Sequence, residues 1–189
     1  MRIKQQHSCL TLAALALACA FGSSLAQAAG NPKLPAGDPC TVVPLADVQK
    51  AFPGAKAGVR DRRLEEYGST QCAWSDSRGQ VVFGVQESYG SNSAMQEAKG
   101  QATAFLDPRM SPSQAKVRYE TLGGIAPEAV AFVESGDPKR GILGDGSLLV
   151  LRKGEHTLVL MSPELPRRDR AAALKVYEDL GRLAARRLD

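Results

Sequence analysis

The side chains that most often perform chemistry are sparse beyond the first thirty residues of this chain. His156 is the single histidine there, and it stands beside a turn where a strand is predicted to begin. A serine hydrolase would pair such a histidine with a nucleophile in a Gly-x-Ser-x-Gly elbow, which the sequence lacks. The nearest run, Gly144-Asp145-Gly146-Ser147, has the wrong order. We therefore predict no catalytic residue and expect that the protein is not an enzyme.

Metal and cofactor motifs are not indicated either. Asp137 and Asp145 lie in a Gly-rich stretch, but the spacing of a calcium-binding loop and its terminal glutamate are missing. Glu65 and Glu66 are adjacent, so on a strand their carboxylates would point to opposite faces and would not share a sugar substrate. No glycine-rich phosphate-binding motif occurs. We predict no metal and no cofactor.

Arginines are better candidates for binding. Arg60, Arg62 and Arg63 form a basic group within the charged stretch that precedes Gly68. If this stretch is a strand, Arg60 and Arg62 share a face and could hold an anionic or carboxylate group through paired hydrogen bonds. The alternative is a solvated, charge-mixed surface in which the acids at positions 61, 65 and 66 balance the arginines.

Two aromatic residues complete the candidate binding residues. Trp74 is the one tryptophan and follows Cys72 by two positions, so it would either line a ligand groove or pack on a disulfide in the core. Tyr89 begins the stretch 89–92, which could form a recognition loop.

A second arginine group, Arg167, Arg168 and Arg170, lies where the last helix is predicted to begin. Positive charge at a helix N-terminus opposes the helix dipole, by roughly a few tenths of a kcal/mol for each arginine. The group therefore indicates either an external anionic partner or a role in solubility.

The first 28 residues have the pattern of a secretory signal peptide. Basic Arg2 and Lys4 precede an apolar run from Ser8 to Gly22, and Ala26-Gln27-Ala28 fits the cleavage pattern. The apolar run is too short to span a membrane, which takes about 20 residues. We predict a bacterial protein that is periplasmic or secreted and has no transmembrane span after processing.

A lipid anchor on Cys19 is the alternative. Bacterial lipoproteins are cut just before a cysteine that follows a Leu-[Ala/Ser]-[Gly/Ala]-like triplet, but here the triplet is Ala16-Leu17-Ala18. We favour processing after Ala28, which would leave no lipid on the protein.

The charge balance excludes one class of partner. The chain has 24 basic and 20 acidic residues, and removal of Arg2 and Lys4 with the signal peptide leaves 22 against 20. A nucleic-acid-binding domain would present a clustered basic face. We predict no nucleic-acid partner; the partner would be an unknown protein or cell-envelope component.

Cys40 and Cys72 are the cysteines that remain after processing. An exported chain enters an oxidising compartment, and these two cysteines have neither Cys-x-x-Cys spacing nor nearby histidines. They therefore favour one structural disulfide over a redox or metal site. The bond would fix the N-terminal segment to the strand that carries Trp74.

The pattern of apolar residues predicts a single α+β domain at 40–189, preceded by a flexible segment at 29–39. Short connections favour antiparallel pairing, so we expect a single antiparallel sheet with helices packed on it. The predicted elements are a helix (44–52), a hairpin (71–76 and 80–89), a helix (91–106), a meander (129–134, 147–153 and 156–162) and a closing helix (167–188).

A series of short motifs is distributed along most of the chain after residue 37. They are Asp38-Pro39-Cys40, Ala46–Phe52, Gly68 with Cys72 and Trp74, Leu122–Val130 and Leu148–Met161. In these motifs the chain resembles a family of small exported bacterial proteins and lipoproteins of uncharacterised function. The resemblance implies a PsbP-like α/β sandwich, in which a curved antiparallel sheet carries helices, and a Cys40–Cys72 disulfide. It implies no catalytic residues.

These observations predict an exported, non-catalytic binding or accessory protein of the bacterial periplasm or cell envelope. The alternative is a periplasmic inhibitor or immunity protein that blocks a toxin or hydrolase through a protruding loop. A small hydrolase with an unrecognised acid pair is the third hypothesis.

Overall fold

The computed structural model describes residues 33–109 and 115–189, which form an antiparallel sheet with α-helices packed on it. The strands are β1 (Val59–Asp61), β2 (Ser69–Ser75), β3 (Val81–Tyr89), β4 (Tyr119–Thr121), β5 (Glu128–Glu134), β6 (Gly146–Lys153) and β7 (His156–Met161). The helices are α1 (Leu45–Ala51), α2 (Ala94–Ala102) and α3 (Arg170–Ala184). The predicted signal peptide at 1–28, with Cys19, lies outside the described residues. Within the described ranges, no helix is long and apolar enough to cross a membrane.

The seven strands lie in the order β1-β2-β3-β7-β6-β5-β4, and every neighbouring pair is antiparallel. The predicted α+β class with one antiparallel sheet is therefore confirmed. The predicted hairpin and meander are both present, and pairing of β3 with β7 joins them, with Val85 opposite Leu160. The charged stretch after residue 57 forms the short edge strand β1 and then a 3-10 turn at Glu65–Tyr67.

One face of the sheet packs against α1 and α3. Cross-strand pairing aligns an apolar row in which every residue is fully buried: Cys72, Val85, Leu160, Leu149 and Ala131. Val48 of α1 and Tyr177 of α3 belong to the same cluster. Side chains alternate along each strand, so burial of this row directs the neighbouring positions to the opposite face.

The opposite face is covered by α2 over its β5–β6 part. Ala94, Ala98 and Ala102 follow one another at four-residue spacing and pack against Val130 and Val150. Small residues let the helix approach the sheet closely. Ser93 caps α2 in a capping box with Gln96, so the helix predicted at 91–106 is confirmed and begins at Ala94.

A buried polar contact and a close approach both help to fix α3 to the sheet. The Tyr177 hydroxyl lies 2.8 Å from the Ser147 hydroxyl, and burial raises the pKa of Tyr177 above its ordinary value. Gly181 faces Leu149, where a Cβ atom would come within 2.7 Å of a leucine methyl group. The helix therefore packs with its glycine directly over the sheet.

Cys40 and Cys72 form a disulfide, as predicted, between a 3-10 turn at Pro39–Thr41 and β2. The segment predicted to be flexible, 29–39, is described from Lys33 onward. There Pro35 and Pro39 are buried, and Arg187 donates a hydrogen bond to the carbonyl of Ala36. This part of the segment thus packs on the domain beside the disulfide.

Candidate functional site

A cleft of about 320 Å³ opens at the end of β5, and its lining is unusually rich in arginine. Four elements position the lining: the end of β5, the 3-10 turn Pro138–Arg140, the start of α3, and the residue before β4. We call the six charged residues around it the arginine cleft: Arg118, Arg140, Arg168, Arg170, Glu134 and Asp137.

Glu134 lies at the base of the arginine cleft and is only 3% exposed. One carboxylate oxygen accepts the Arg118 backbone N–H at 2.9 Å, and Arg140 donates to both oxygens, at 2.7 and 3.0 Å. Burial acts to raise the pKa of Glu134, but the hydrogen bonds from Arg140 and Arg118 outweigh it, so that the pKa lies below its usual range. Glu134 is therefore an ionised buried carboxylate that holds two arginines in place.

Arg170 is held mainly by main-chain carbonyls. Its guanidinium donates to the carbonyls of Val133 and Arg118, and its Nη2 lies 3.1 Å from a carboxylate oxygen of Glu120. The neighbouring Asp169 caps α3 by accepting from the N–H groups of the first turn, which offsets the unfavourable arginine charge there. Arg170 thus fastens β4 and β5 to the helix.

Arg168 is anchored on the other side of the arginine cleft. Its Nη2 donates to the carbonyl of Ala51 at 2.7 Å, and its guanidinium carbon lies 5.2 Å from the ring centroid of Phe52. The aromatic face attracts the cation and restricts the guanidinium. The Ser135 hydroxyl donates to the carbonyl of Pro166 at 2.7 Å, which links the segment after β5 to the segment before α3.

The arginine cleft has the chemistry of an anion-binding site. Its four arginines face two carboxylates, which leaves a formal charge of +2. Planar guanidinium groups match carboxylate and phosphate oxygens in pairs, and a partly buried setting strengthens such bonds relative to water. Among the described residues, no group of three or more histidine, cysteine, aspartate or glutamate side chains is placed to hold a metal ion.

The arginines singled out in the sequence lie elsewhere, on and after β1. Arg60 donates to Glu65 at 2.9 Å, and Arg63 forms a two-pronged ion pair with Asp61, which lowers the pKa of Asp61. Arg62 is exposed and follows the end of the strand, so it does not share a strand face with Arg60. This geometry corresponds to the charge-mixed surface that the sequence analysis offered as the alternative.

Trp74 is 1% exposed and lies in the core. Its ring centroid is 5.3 Å from that of Phe83, and Gly58 packs directly on it and on the disulfide. The structure thus gives Trp74 the packing role and leaves it inaccessible to a ligand. Burial at this position follows from the apolar alternation of β2 and β3.

Tyr89 lies at the opposite end of the central strands from Glu134, as the pairing of β5, β6 and β7 shows. The centroid of its ring is 4.9 Å from that of the tilted His156 ring and 4.5 Å from the Lys33 ammonium. His156 in turn contacts the buried Glu87, which Arg187 also contacts. This cluster links Lys33 and the C-terminal segment around Arg187 to the sheet and is separate from the arginine cleft.

The structure therefore does not bring Arg60, Arg62, Arg63, Trp74 and Tyr89 together into one site. Sequence reasoning missed Arg118, Glu134 and Arg140 as functional candidates. The signal that pointed toward the site was the second arginine group, since Arg168 and Arg170 line the arginine cleft. Comparison of the chain with protein-family models, with curated proteins and with solved structures gives no match.

Proposed function

We propose that this protein is an exported, non-catalytic binding or accessory protein of the bacterial periplasm or cell envelope, and that it binds an anionic ligand in the arginine cleft. The observation that carries the proposal is the arrangement of four arginines around the buried Glu134 in a cleft of about 320 Å³. That volume is at the lower end for ligand pockets, so a small ligand or a single anionic group of a larger molecule fits best.

The disulfide supports export. Disulfides persist in oxidising compartments. Cys72 is fully buried, and its partner Cys40 lies in the 3-10 turn at the start of the domain. Together with the secretory pattern of residues 1–28, this favours the periplasm or the exterior over the cytoplasm. Processing after Ala28, without lipidation of Cys19, is part of the proposal.

We also propose that the fold is PsbP-like and that the chain is related to the exported family that its motifs resemble. Helices on both faces of one antiparallel sheet support the first point. The second is supported by the positions of the Asp-Pro-Cys and Cys-x-Trp motifs, whose cysteines are joined in the structure. Neither relationship identifies a ligand.

An anion-dependent stability measurement tests the binding proposal. A ligand that binds the folded state raises the melting temperature by mass action, so anions at fixed ionic strength should stabilise the mature protein. The Arg118→Gln variant should lose this effect, because it lacks a guanidinium of the cleft, and it should remain folded, because the Arg118 side chain is 60% exposed. Arg62→Gln is the matched control on the β1 side. Equal stabilisation of wild type and Arg118→Gln by every anion would refute the proposal.

A second function, as an inhibitor or immunity protein, is favoured by the exposed residues near β1. Val59 is 71% exposed and Tyr67 is 55% exposed, and Arg62 and Arg63 lie between them in the chain. Tyrosine and arginine are enriched at protein interfaces. Affinity purification from periplasmic extract should then yield a stoichiometric protein partner that a Tyr67→Ala variant fails to retain. Equal retention of the partner by the wild type and by Tyr67→Ala would rule out this surface as the binding site.

A further inference from the structure

We infer that the ligand of the arginine cleft is a small dianion, held between Arg118 and Arg168, with Arg140 and Arg170 acting as positioning residues. This inference rests on the proposed anion binding and goes further, because it assigns a charge to the ligand and separate roles to the four arginines. The assignment follows from how much of each guanidinium is already engaged within the protein.

The terminal nitrogens of Arg140 and Arg170 already form hydrogen bonds within the protein. Both terminal nitrogens of Arg140 donate to Glu134, and one of them also donates to the carbonyl of Lys116. Both terminal nitrogens of Arg170 also donate, to main-chain carbonyls and to Glu120. Their exposed fractions are 25% and 22%. These two arginines shape the cleft and have few donors left for a ligand.

The guanidinium groups of Arg118 and Arg168 still have N–H donors that a ligand could use. The Arg118 side chain contacts Glu134 only through Nε, at 3.4 Å, and among the described residues neither of its terminal nitrogens has a hydrogen-bond partner. Among the described residues Arg168 donates through Nη2 alone, to the carbonyl of Ala51, and its guanidinium lies over the Phe52 ring. Two cations on the cleft lining, each with available N–H groups, match a ligand that carries two negative charges.

The carboxylates around the arginine cleft already have partners within the protein. Glu134 is matched by Arg140 and Glu120 by Arg170, while Asp137 uses its carboxylate to cap the 3-10 turn by accepting the Lys139 N–H. The lining has four arginines against Glu134 and Asp137, a formal charge of +2, and Glu120, which lies outside the lining, reduces the local charge to +1. A phosphate monoester and a dicarboxylate share the required chemistry, and the volume excludes a bulky molecule.

Titration of the mature isotope-labelled protein with methyl phosphate, succinate and acetate, followed by NMR, tests the inference. At a pH of about 7.5 the first two are dianions and the third is a monoanion. We expect the amides of Ser135 and Gly136 to shift, with at least one dianion binding about tenfold more tightly than acetate. Arg118→Gln and Arg168→Gln should each abolish this preference, and Arg62→Gln should keep it.

The outcomes separate the two proposals. Acetate affinity within about twofold of both dianions would overturn the dianion assignment and leave anion binding in place. Absence of any shift at Ser135 and Gly136 with all three anions would overturn both. If Arg168→Gln is unfolded at the temperature of the titration, the Arg118→Gln variant decides the result, because Arg118 is exposed. An unchanged preference of that variant for a dianion over acetate overturns the assignment.

Discussion

Arg140 places its two terminal nitrogens 2.7 and 3.0 Å from the two carboxylate oxygens of Glu134, so the pair forms a fork at the base of the cleft. The carboxylate is 3% exposed, whereas the arginine is 25% exposed. A buried charge is tolerated only when it is paired and hydrogen-bonded. Glu134 therefore holds Arg140 and Arg118 in place in the arginine cleft.

Replacement of Glu134 by glutamine should destabilise the fold by roughly 1–3 kcal/mol, because Arg140 and Arg118 would face a neutral group that can accept only part of their hydrogen bonds. Urea unfolding monitored by circular dichroism measures the difference. Glu120→Gln is the matched control, since Glu120 is 46% exposed and its pair with Arg170 should contribute less than about 1 kcal/mol. Similar losses in the two variants would contradict the organising role of Glu134.

The low pKa of Glu134 predicts the direction of an acid effect. A carboxyl group whose folded-state pKa is below its unfolded value stabilises the fold above the unfolded pKa, and that contribution is lost as the pH falls through the folded pKa. The stability difference between wild type and Glu134→Gln should therefore be greatest above about pH 5 and shrink below about pH 4. A difference that stays constant from neutral to acid pH would show that Glu134 is not the titrating group.

Loss of the Cys40–Cys72 disulfide should lower the free energy of unfolding by roughly 3–4 kcal/mol in the chain-entropy model. The bond joins residues 32 positions apart and closes the N-terminal turn onto β2. The Cys40→Ser/Cys72→Ser protein is the direct comparison in urea unfolding, and thiol labelling of the unreduced wild type is the control. Labelling of both cysteines without reduction would disprove the bond.

A larger residue at Gly58 should disturb the packing around the disulfide and Trp74. A Cβ atom there would overlap the Cys72 sulfur and come within 2.8 Å of the Trp74 ring, so Gly58→Ala should destabilise by about 1–3 kcal/mol. Gly100→Ala is the matched control in α2, where a Cβ atom meets nothing within 4 Å and should stabilise the helix by about 0.5–1 kcal/mol. Thermal unfolding measures both. A neutral Gly58→Ala would mean that the disulfide and Trp74 do not pack on this glycine.

Local features of the fold were predictable because their causes lie in neighbouring residues. The helix predicted at 91–106 has Ala98 and Ala102 at four-residue spacing, with Ser93 before them as a local cap. Alternation along Val81–Val85 marked β3. The pairing of β3 with β7 was not predictable, because residues about seventy positions apart meet there and no local pattern specifies the partner.

The site was harder to predict for the same reason. Glu134 and Arg118 are 16 residues apart, and pairing of β4 with β5 brings them together. Arg168 and Arg170 reach the same place through the packing of α3 on the sheet. The sequence suggested Arg60, Arg62 and Arg63 as a binding group because they are close together in the chain. In the structure, Arg60 and Arg63 form ion pairs with nearby acidic residues. Proximity in sequence was a poor guide to a site assembled from distant segments.

A crystal structure of the mature protein with methyl phosphate tests the arginine cleft most directly. We predict that the phosphate group lies in the cleft within hydrogen-bonding distance of Arg118 and Arg168, while Glu134 stays paired with Arg140. An empty cleft at saturating methyl phosphate, or a phosphate bound only at another surface, would contradict the assignment of this cleft as the anion site.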